Sequence, residues 1–151
     1  GFAYGRHAIR QFLRTGSGSE KFLEEIEKRI GSCDPNEVLG RVYASSSPAA
    51  LVAGFSSFFF KDLGYGAEYA KIALKTETDA LARTVVSHLD RYHSSLSQPI
   101  ISLAGSIWKR KAARNAFERT IDVRARCVVL EKPPVLGAAL LARDIFMREK
   151  R

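Results

Sequence analysis

Apolar and polar positions repeat with a helical period along the first 93 residues of the chain. Apolar side chains recur every three or four residues, which is typical of helices that bury one face. Five helices are predicted: at residues 5–14, between Ser17 and Gly31, at about 35–42, from Ser47 onward, and at about 66–93. The last is expected to form the spine of the domain, with a stripe made of Ala70, Ala73, Leu74, Leu81, Val85, Leu89 and Tyr92.

Two of these helices carry clear start signals. Ser17 with Glu20 three residues later forms a capping box, which predicts Ser17 as the N-cap of the second helix. Asp34 followed by Pro35 predicts an N-cap and a first helical residue for the third helix.

The segment from Ser47 is apolar nearly all round, which predicts one buried helix. It contains the run Phe58-Phe59-Phe60. Large aromatic side chains in such a helix are more often core residues than a binding platform, so we expect this run to be buried.

The last third of the chain alternates between strand and helix patterns. Residues 99–104 are predicted to form a strand that ends in a turn at Gly105, and a helix at about 107–120 follows. A second strand is predicted at 126–130 and a terminal helix from Val135. The expected fold is therefore α/β and helix-rich, with a small mixed sheet whose two strands here are parallel neighbours.

The length of 151 residues and the 46% hydrophobic content predict a single domain, residues 1–151. No apolar run approaches the ~20 residues that span a bilayer, so no membrane partner is expected. The N-terminus lacks the apolar core of a signal peptide, and we expect a cytoplasmic protein. Because the chain starts with Gly1 and enters a helix almost at once, it is interpreted as part of a longer protein.

The two cysteines and His88 are not predicted to be chemically active. Cys33 and Cys127 are far apart and lack a CxxC partner, so buried, structural thiols are expected. His88 lies beside the apolar stripe of the longest helix, with no carboxylate or nucleophile at an obvious partner spacing. A packed or boundary histidine is therefore favoured over a catalytic base.

The net charge of +8 is concentrated after the glycine turn. Between Ser106 and Arg126 there are seven basic residues against Glu118 and Asp122: Lys109, Arg110, Lys111, Arg114, Arg119, Arg124 and Arg126. An anionic ligand and a solvated basic helix face both fit this pattern. A nucleic-acid partner is less favoured, because aromatic residues do not interleave with the charges as a stacking platform requires.

The strand–turn–helix at Gly105 is the candidate ligand site. Glycine permits a positive φ and a close approach of a ligand to the backbone. Such turns can receive a phosphate, a ribose or an adenine edge, although they are also common in plain α/β architecture.

Three segments carry a family resemblance. Residues 104–109, AGSIWK, resemble the adenosine elements "GGVFRS" and "GSVWKS", and residues 133–143, PPVLGAALLAR, resemble the "PxLGAALLA" helix of the BadF/BadG/BcrA/BcrD-type ATPases. The opening GFAYGRHAI is similar to the family's "GSAYWIGREAL", with two residues missing. This family includes N-acetylglucosamine kinase.

The resemblance implies an actin-like, hexokinase-type (ribonuclease H-like) fold, of which this chain would be the C-terminal lobe. It implies ATP and Mg²⁺ as cofactors, a sugar or amino sugar as substrate, the N-terminal lobe as a partner and a homodimer as an option. Gly105, Ser106, Trp108 and Lys109 would contact adenosine, whereas the catalytic aspartate and phosphate loops would lie upstream, which leaves no catalytic or metal-binding residue here. Ser106 replaces the second glycine of the commoner motif, and Arg110 stands where the family usually has Ser.

Two other function classes stay open. The same family contains activator ATPases that hold an iron–sulfur cluster between subunits through cysteines. Cys33 and Cys127 do not match that cysteine pattern. A basic nucleic-acid interaction module is the other alternative, and a steep salt dependence of binding would distinguish it.

Overall fold

The computed structural model describes residues 1–95, 97–121, 124–132, 135 and 137. Most of these residues are helical, and two short strands follow the longest helix. The α-helices are α1 (Phe2–Thr15), α2 (Glu20–Ile30), α3 (Pro35–Ala44), α4 (Pro48–Ala53), α5 (Ser56–Gly64), α6 (Glu68–Tyr92) and α7 (Lys111–Ile121). The strands are β1 (Ile100–Leu103) and β2 (Arg126–Val129), and a short 3-10 helix spans Ser106–Lys109.

The chain divides into two compact units, one of residues 1–77 and one that begins at Thr78. The division falls within α6. Each unit has its own core, and each is described separately below.

Capping explains where two helices of the first unit begin. Asp34 is the N-cap of α3 as predicted, and its carboxylate accepts a hydrogen bond from the Asn36 N–H at 2.9 Å. The predicted capping box at Ser17 is wrong: Ser19 caps α2, and its hydroxyl accepts from the Phe22 N–H at 3.3 Å. Ser17 lies two residues before this N-cap, and its hydroxyl donates to the Thr15 hydroxyl at 3.0 Å.

Aromatic rings form much of the core of the first unit. Phe22 contacts Phe12 and Phe55 edge-on, with ring centroids 5.9 and 5.7 Å apart. Such aromatic pairs add to the stabilisation that burial provides. Phe59 is fully buried, and its neighbours in the Phe58–Phe60 run are half-buried, so the prediction that this run packs in the core is confirmed.

The predicted single helix from Ser47 is two helices, α4 and α5. Where the two helices meet, backbone N–H groups donate to the carbonyl three residues earlier. The Phe55 N–H donates to the Val52 carbonyl and the Phe58 N–H to the Phe55 carbonyl, each at 3.1 Å. A Cβ at Gly54 would lie 2.2 Å from the Arg29 guanidinium, so the lack of a side chain there lets Arg29 reach the Phe55 ring.

Helix α6 confirms the predicted long helix but not its whole buried face. Ala70 and Ala73 are buried in the first unit, as predicted. In the second unit Ala82 is buried, whereas Leu81 and Tyr92 are exposed, contrary to the predicted stripe. The repeat of apolar residues in the sequence does not show whether Leu81 or the smaller Ala82 takes the buried position.

The second unit is built on two parallel strands. β1 and β2 pair in the register Ile100↔Arg126 to Leu103↔Val129, as predicted for parallel neighbours. Phe117 and Ile121 of α7 pack with Leu103 in one hydrophobic cluster. This result supports a mixed α/β class. Of the predicted terminal helix from Val135, only residues 135 and 137 are described, and the rest of that prediction lies outside the described residues.

The predicted helix at 107–120 is interrupted. Arg110 has an extended backbone, with φ −80° and ψ 109°, so it separates the 3-10 helix from α7. The turn after β1 is therefore a distinct structural segment rather than the first turn of a long helix.

Within the described parts of the chain, we find no helix with both the length and the apolar character needed to cross a bilayer.

Candidate functional site

The candidate site lies at the carboxyl edge of the sheet, where both parallel strands end. The Leu130 N–H donates to the Leu103 carbonyl at 2.9 Å, which keeps the strand ends paired. In open α/β sheets, ligands bind at this edge, outside the carboxyl ends of the strands. Gly105 follows β1 by two residues, so the predicted turn occupies the position where such ligands bind.

Gly105 adopts φ +106° and ψ 163°, a conformation that residues with a side chain rarely adopt. The structure thus uses the positive φ that glycine permits at this turn. A Cβ built at this position would meet no atom within 4 Å, so the space beside the glycine is open. The Trp108 N–H closes the turn by donating to the Gly105 carbonyl at 3.3 Å.

The four predicted site residues divide into an exposed set and an anchoring residue. Gly105, Ser106 and Lys109 are exposed to solvent. Trp108 is half-buried, and its ring packs against Phe117 with centroids 5.0 Å apart. The tryptophan therefore ties the turn to the core, while the other three residues remain accessible to a ligand.

The basic residues after the turn are mostly exposed. Arg124 forms an ion pair with Asp90, and the Arg119 Nε donates to the Asn115 carbonyl. Four basic side chains form no hydrogen bond or ion pair with any described residue: Lys109, Lys111, Arg114 and Arg126. Lys109, Lys111 and Arg114 follow the turn along the chain, whereas Arg126 begins β2 at the amino end of the sheet, away from the candidate site.

The prediction that both cysteine thiols are buried is wrong for Cys33. Cys33 is exposed rather than buried, and its thiol donates to the Leu23 carbonyl at 3.3 Å. It follows the end of α2, where the chain turns toward Asp34 at the surface. Cys127 is half-buried in β2, where burial raises the pKa of its thiol and the nearby charge of Glu118 adds to the effect.

His88 lies on the exposed side of α6 rather than in the core. Its ring lies tilted against those of Tyr92 and His93, with centroids 4.8 and 5.6 Å away. The described residues contain no group of three or more His, Cys, Asp or Glu side chains arranged to hold a metal ion.

A polar cluster in the first unit was not predicted. Glu77 Oε1 lies 3.0 Å from Arg6 Nη2 and 2.8 Å from His7 Nε2. About 70 residues separate these partners, so no local motif in the sequence could indicate the contact. Burial alone would raise the pKa of Glu77, but the hydrogen bonds and positive charges of His7 and Arg6 outweigh it and lower that pKa.

Comparison of the chain with protein-family models, with curated proteins and with solved structures gave no significant match.

Proposed function

We propose that this chain is the adenosine-binding lobe of an ATP-dependent sugar or amino-sugar kinase with an actin-like, hexokinase-type fold. The observation that carries the proposal is the Gly105 turn, which has a positive φ and open space at the carboxyl edge of two parallel strands. The resemblance of residues 104–109 to an adenosine motif supplies the chemical identity of the ligand.

The residues of the turn suit a nucleoside. Without a side chain at Gly105, a ribose or base can approach the backbone closely. The Ser106 hydroxyl can donate and accept hydrogen bonds, and the Lys109 ammonium can donate to a ribose hydroxyl or a base. Trp108, held against Phe117, fixes the turn that presents these groups.

ATP supplies the phosphoryl group in this proposal, and this chain positions the nucleoside. Phosphoryl transfer depends chiefly on in-line positioning and on neutralising the charge that develops. The family resemblance implies that the metal ligands, the phosphate-binding turns and the catalytic base belong to the upstream lobe, and the proposal places them there.

The exposure of the turn is consistent with a site that is completed by another lobe. An open turn leaves a bound nucleotide accessible to water, whereas closure of two lobes would exclude water and limit wasteful hydrolysis. We therefore propose the N-terminal lobe of the same protein as the partner that covers Gly105 and Ser106, with action in the cytoplasm.

The test is a coupled ADP-release assay on the longer protein that the proposal implies. N-acetylglucosamine, glucosamine and glucose should be compared at saturating ATP, with a no-sugar control. The proposal predicts ADP release that depends on at least one of these sugars. ADP release that no sugar stimulates would contradict a kinase function.

An activator ATPase is the second candidate, because Cys33 is exposed at the surface. A cluster shared between two subunits needs an accessible thiolate from each of them. Anaerobic reconstitution with iron and sulfide distinguishes the two candidates: the activator would acquire a cluster absorption band, and the kinase would not.

A further inference from the structure

We propose a second binding site in the first unit, a groove between α1 and α6 that takes a small organic anion with an apolar group, such as an aryl or alkyl phosphate or carboxylate. The cavity has a volume of about 590 Å³. Ligand pockets of small molecules have volumes of roughly 300–1,000 Å³. The groove therefore has the size that a small ligand requires.

Two arginines give one wall of the groove its charge. Arg10 and Arg14 line it from α1, four residues apart and thus on the same helix face. Both are exposed, and neither side chain has a hydrogen bond or ion pair within the described part of the chain. Planar guanidinium groups at this spacing can each donate two hydrogen bonds to a phosphate or carboxylate.

No carboxylate among the described residues pairs with the two arginines of this wall. Glu77 is already paired with Arg6 and with His7, which itself lines the groove. Tyr69 also lines the groove, and its hydroxyl already donates to Asp62. The uncompensated charge in the groove is consequently that of Arg10 and Arg14, which favours an anion.

Apolar side chains make the opposite part of the groove. Ile72 and Ala73 of α6 line it together with Leu13 of α1. Ile72 is 59% exposed, which is costly for a large apolar side chain that no ligand covers. An inorganic anion could bind the two arginines but would leave the apolar side chains of the groove exposed to water. The groove therefore fits an anion that also carries an apolar group.

The site uses only residues of the first unit, and the proposal does not depend on the kinase function. Failure of either one leaves the other unaffected.

An acidic helical segment of a protein partner would also meet two arginines and an apolar strip. The cavity volume favours the small molecule, and the experiment includes the peptide as a competing outcome.

The test is a titration of the isotopically labelled chain followed by amide chemical shifts in NMR spectra. Phenyl phosphate carries both groups, inorganic phosphate carries only the charge, and benzyl alcohol carries only the ring. Phenyl phosphate is expected to shift amides in residues 7–14 and 69–76 and to bind about tenfold more tightly than either single-feature probe.

Paired variants separate a site from general charge attraction. R10Q/R14Q should weaken phenyl phosphate binding by about tenfold or more. The matched control K21Q/K28Q removes the same charge from exposed positions on α2 and should bind like the unmodified chain. Ile72→Ala should weaken the binding of phenyl phosphate but not that of inorganic phosphate.

Three results would overturn the proposal. One is an equal loss of binding in R10Q/R14Q and K21Q/K28Q, and another is the absence of phenyl phosphate shifts in these two segments. The third is that a glutamate-rich helical peptide shifts these amides while phenyl phosphate does not, which would make a protein the occupant. All five substituted residues are exposed, and circular dichroism of each variant verifies that it folds.

Discussion

His7 and Glu77 are 70 residues apart in sequence, yet His7 Nε2 lies 2.8 Å from Glu77 Oε1 in the first unit. Arg6 Nη2 contacts the same carboxylate oxygen at 3.0 Å. The Glu77 side chain is 24% exposed, so water screens these contacts only in part. The pair therefore ties the start of α1 to α6 and makes the stability of the unit depend on pH.

The first prediction concerns acid stability. The pKa of Glu77 is lowered from its ordinary value of 4.5, so its stabilising effect is complete above about pH 4.5 and is lost as pH falls through the lower folded-state value. Glu77→Gln should reduce the free energy of unfolding by about 1–2 kcal/mol at pH 7. Urea denaturation at pH 7 and at pH 3 measures the effect.

The difference between Glu77→Gln and the unmodified chain should shrink toward pH 3. Glu24→Gln is the matched control, because Glu24 is exposed and forms no hydrogen bond or ion pair with the described residues. An equal effect of both substitutions, or a Glu77→Gln effect that does not change with pH, would count against the proposed role of this pair.

The second prediction tests the close approach of α1 to α4. A Cβ at Gly5 would lie 1.9 Å from the Val52 carbonyl oxygen, a backbone atom that cannot turn aside. Gly5→Ala should therefore cost on the order of 3 kcal/mol of stability.

Gly40→Ala is the control. Gly40 lies within α3, and a Cβ there would meet nothing within 4 Å, so alanine should stabilise the protein by about 0.5–1 kcal/mol. Thermal unfolding that ranks the variants in the opposite order would contradict this packing.

The third prediction concerns Gly105. A valine there would be held at φ +106°, and this strain, rather than a clash, should displace the turn. ATP affinity of the longer protein should fall by about 1–3 kcal/mol in Gly105→Val. Gly16→Val imposes a similar strain at φ +64° in the first unit and should leave ATP affinity unchanged. Calorimetry that finds equal affinities in folded Gly105→Val and the unmodified protein would remove Gly105 from the site.

The fourth prediction concerns the thiols. Cys33 is exposed and Cys127 is half-buried, so a maleimide should label Cys33 first. Desolvation and the charge of Glu27 raise the pKa of the Cys33 thiol, so labelling at neutral pH should be slow compared with an ordinary exposed cysteine. Mass spectrometry of partly labelled protein gives the order. Preferential labelling of Cys127 would show that β2 opens to solvent.

The fifth prediction is that the 151-residue chain alone phosphorylates no sugar. The proposal places the catalytic carboxylate and the phosphate-binding turns upstream. Charge-assisted hydrogen bonds to phosphate contribute roughly 1.5–3 kcal/mol each, so losing two or three moves affinity for ATP from micromolar to millimolar or weaker. Sugar-dependent ADP release by the repurified chain would place a catalytic base within it.

Local signals in the sequence account for much of the fold. Asp34 before Pro35 was sufficient to place the start of α3, since an N-cap interaction involves only neighbouring residues. Ser17 and Ser19 both precede α2, and the capping-box spacing to Glu20 pointed to Ser17, whereas Ser19 is the N-cap. No comparable local pattern in the sequence predicts the extended backbone of Arg110.

The candidate sites were harder to predict than the helix starts, because they combine residues that are distant in the sequence. The sequence indicated that Gly105 permits a positive φ, because glycine has no side chain, and the structure has φ +106° there. The packing of Trp108 on Phe117 and the contact of Glu77 with His7 depend on residues brought together by folding. The groove beside Arg10 and Arg14 likewise requires two helices that the sequence does not show to be adjacent.

The most direct test of the central claim is an NMR titration of this chain with adenosine, ATP and inorganic triphosphate. If the chain supplies the adenosine half of a nucleotide site, adenosine and ATP will shift the amides of residues 105–109 with similar, weak affinities, and triphosphate will leave these amides unchanged. Shifts caused by triphosphate but not by adenosine, or no shifts at 105–109 with saturating adenosine, would contradict the claim.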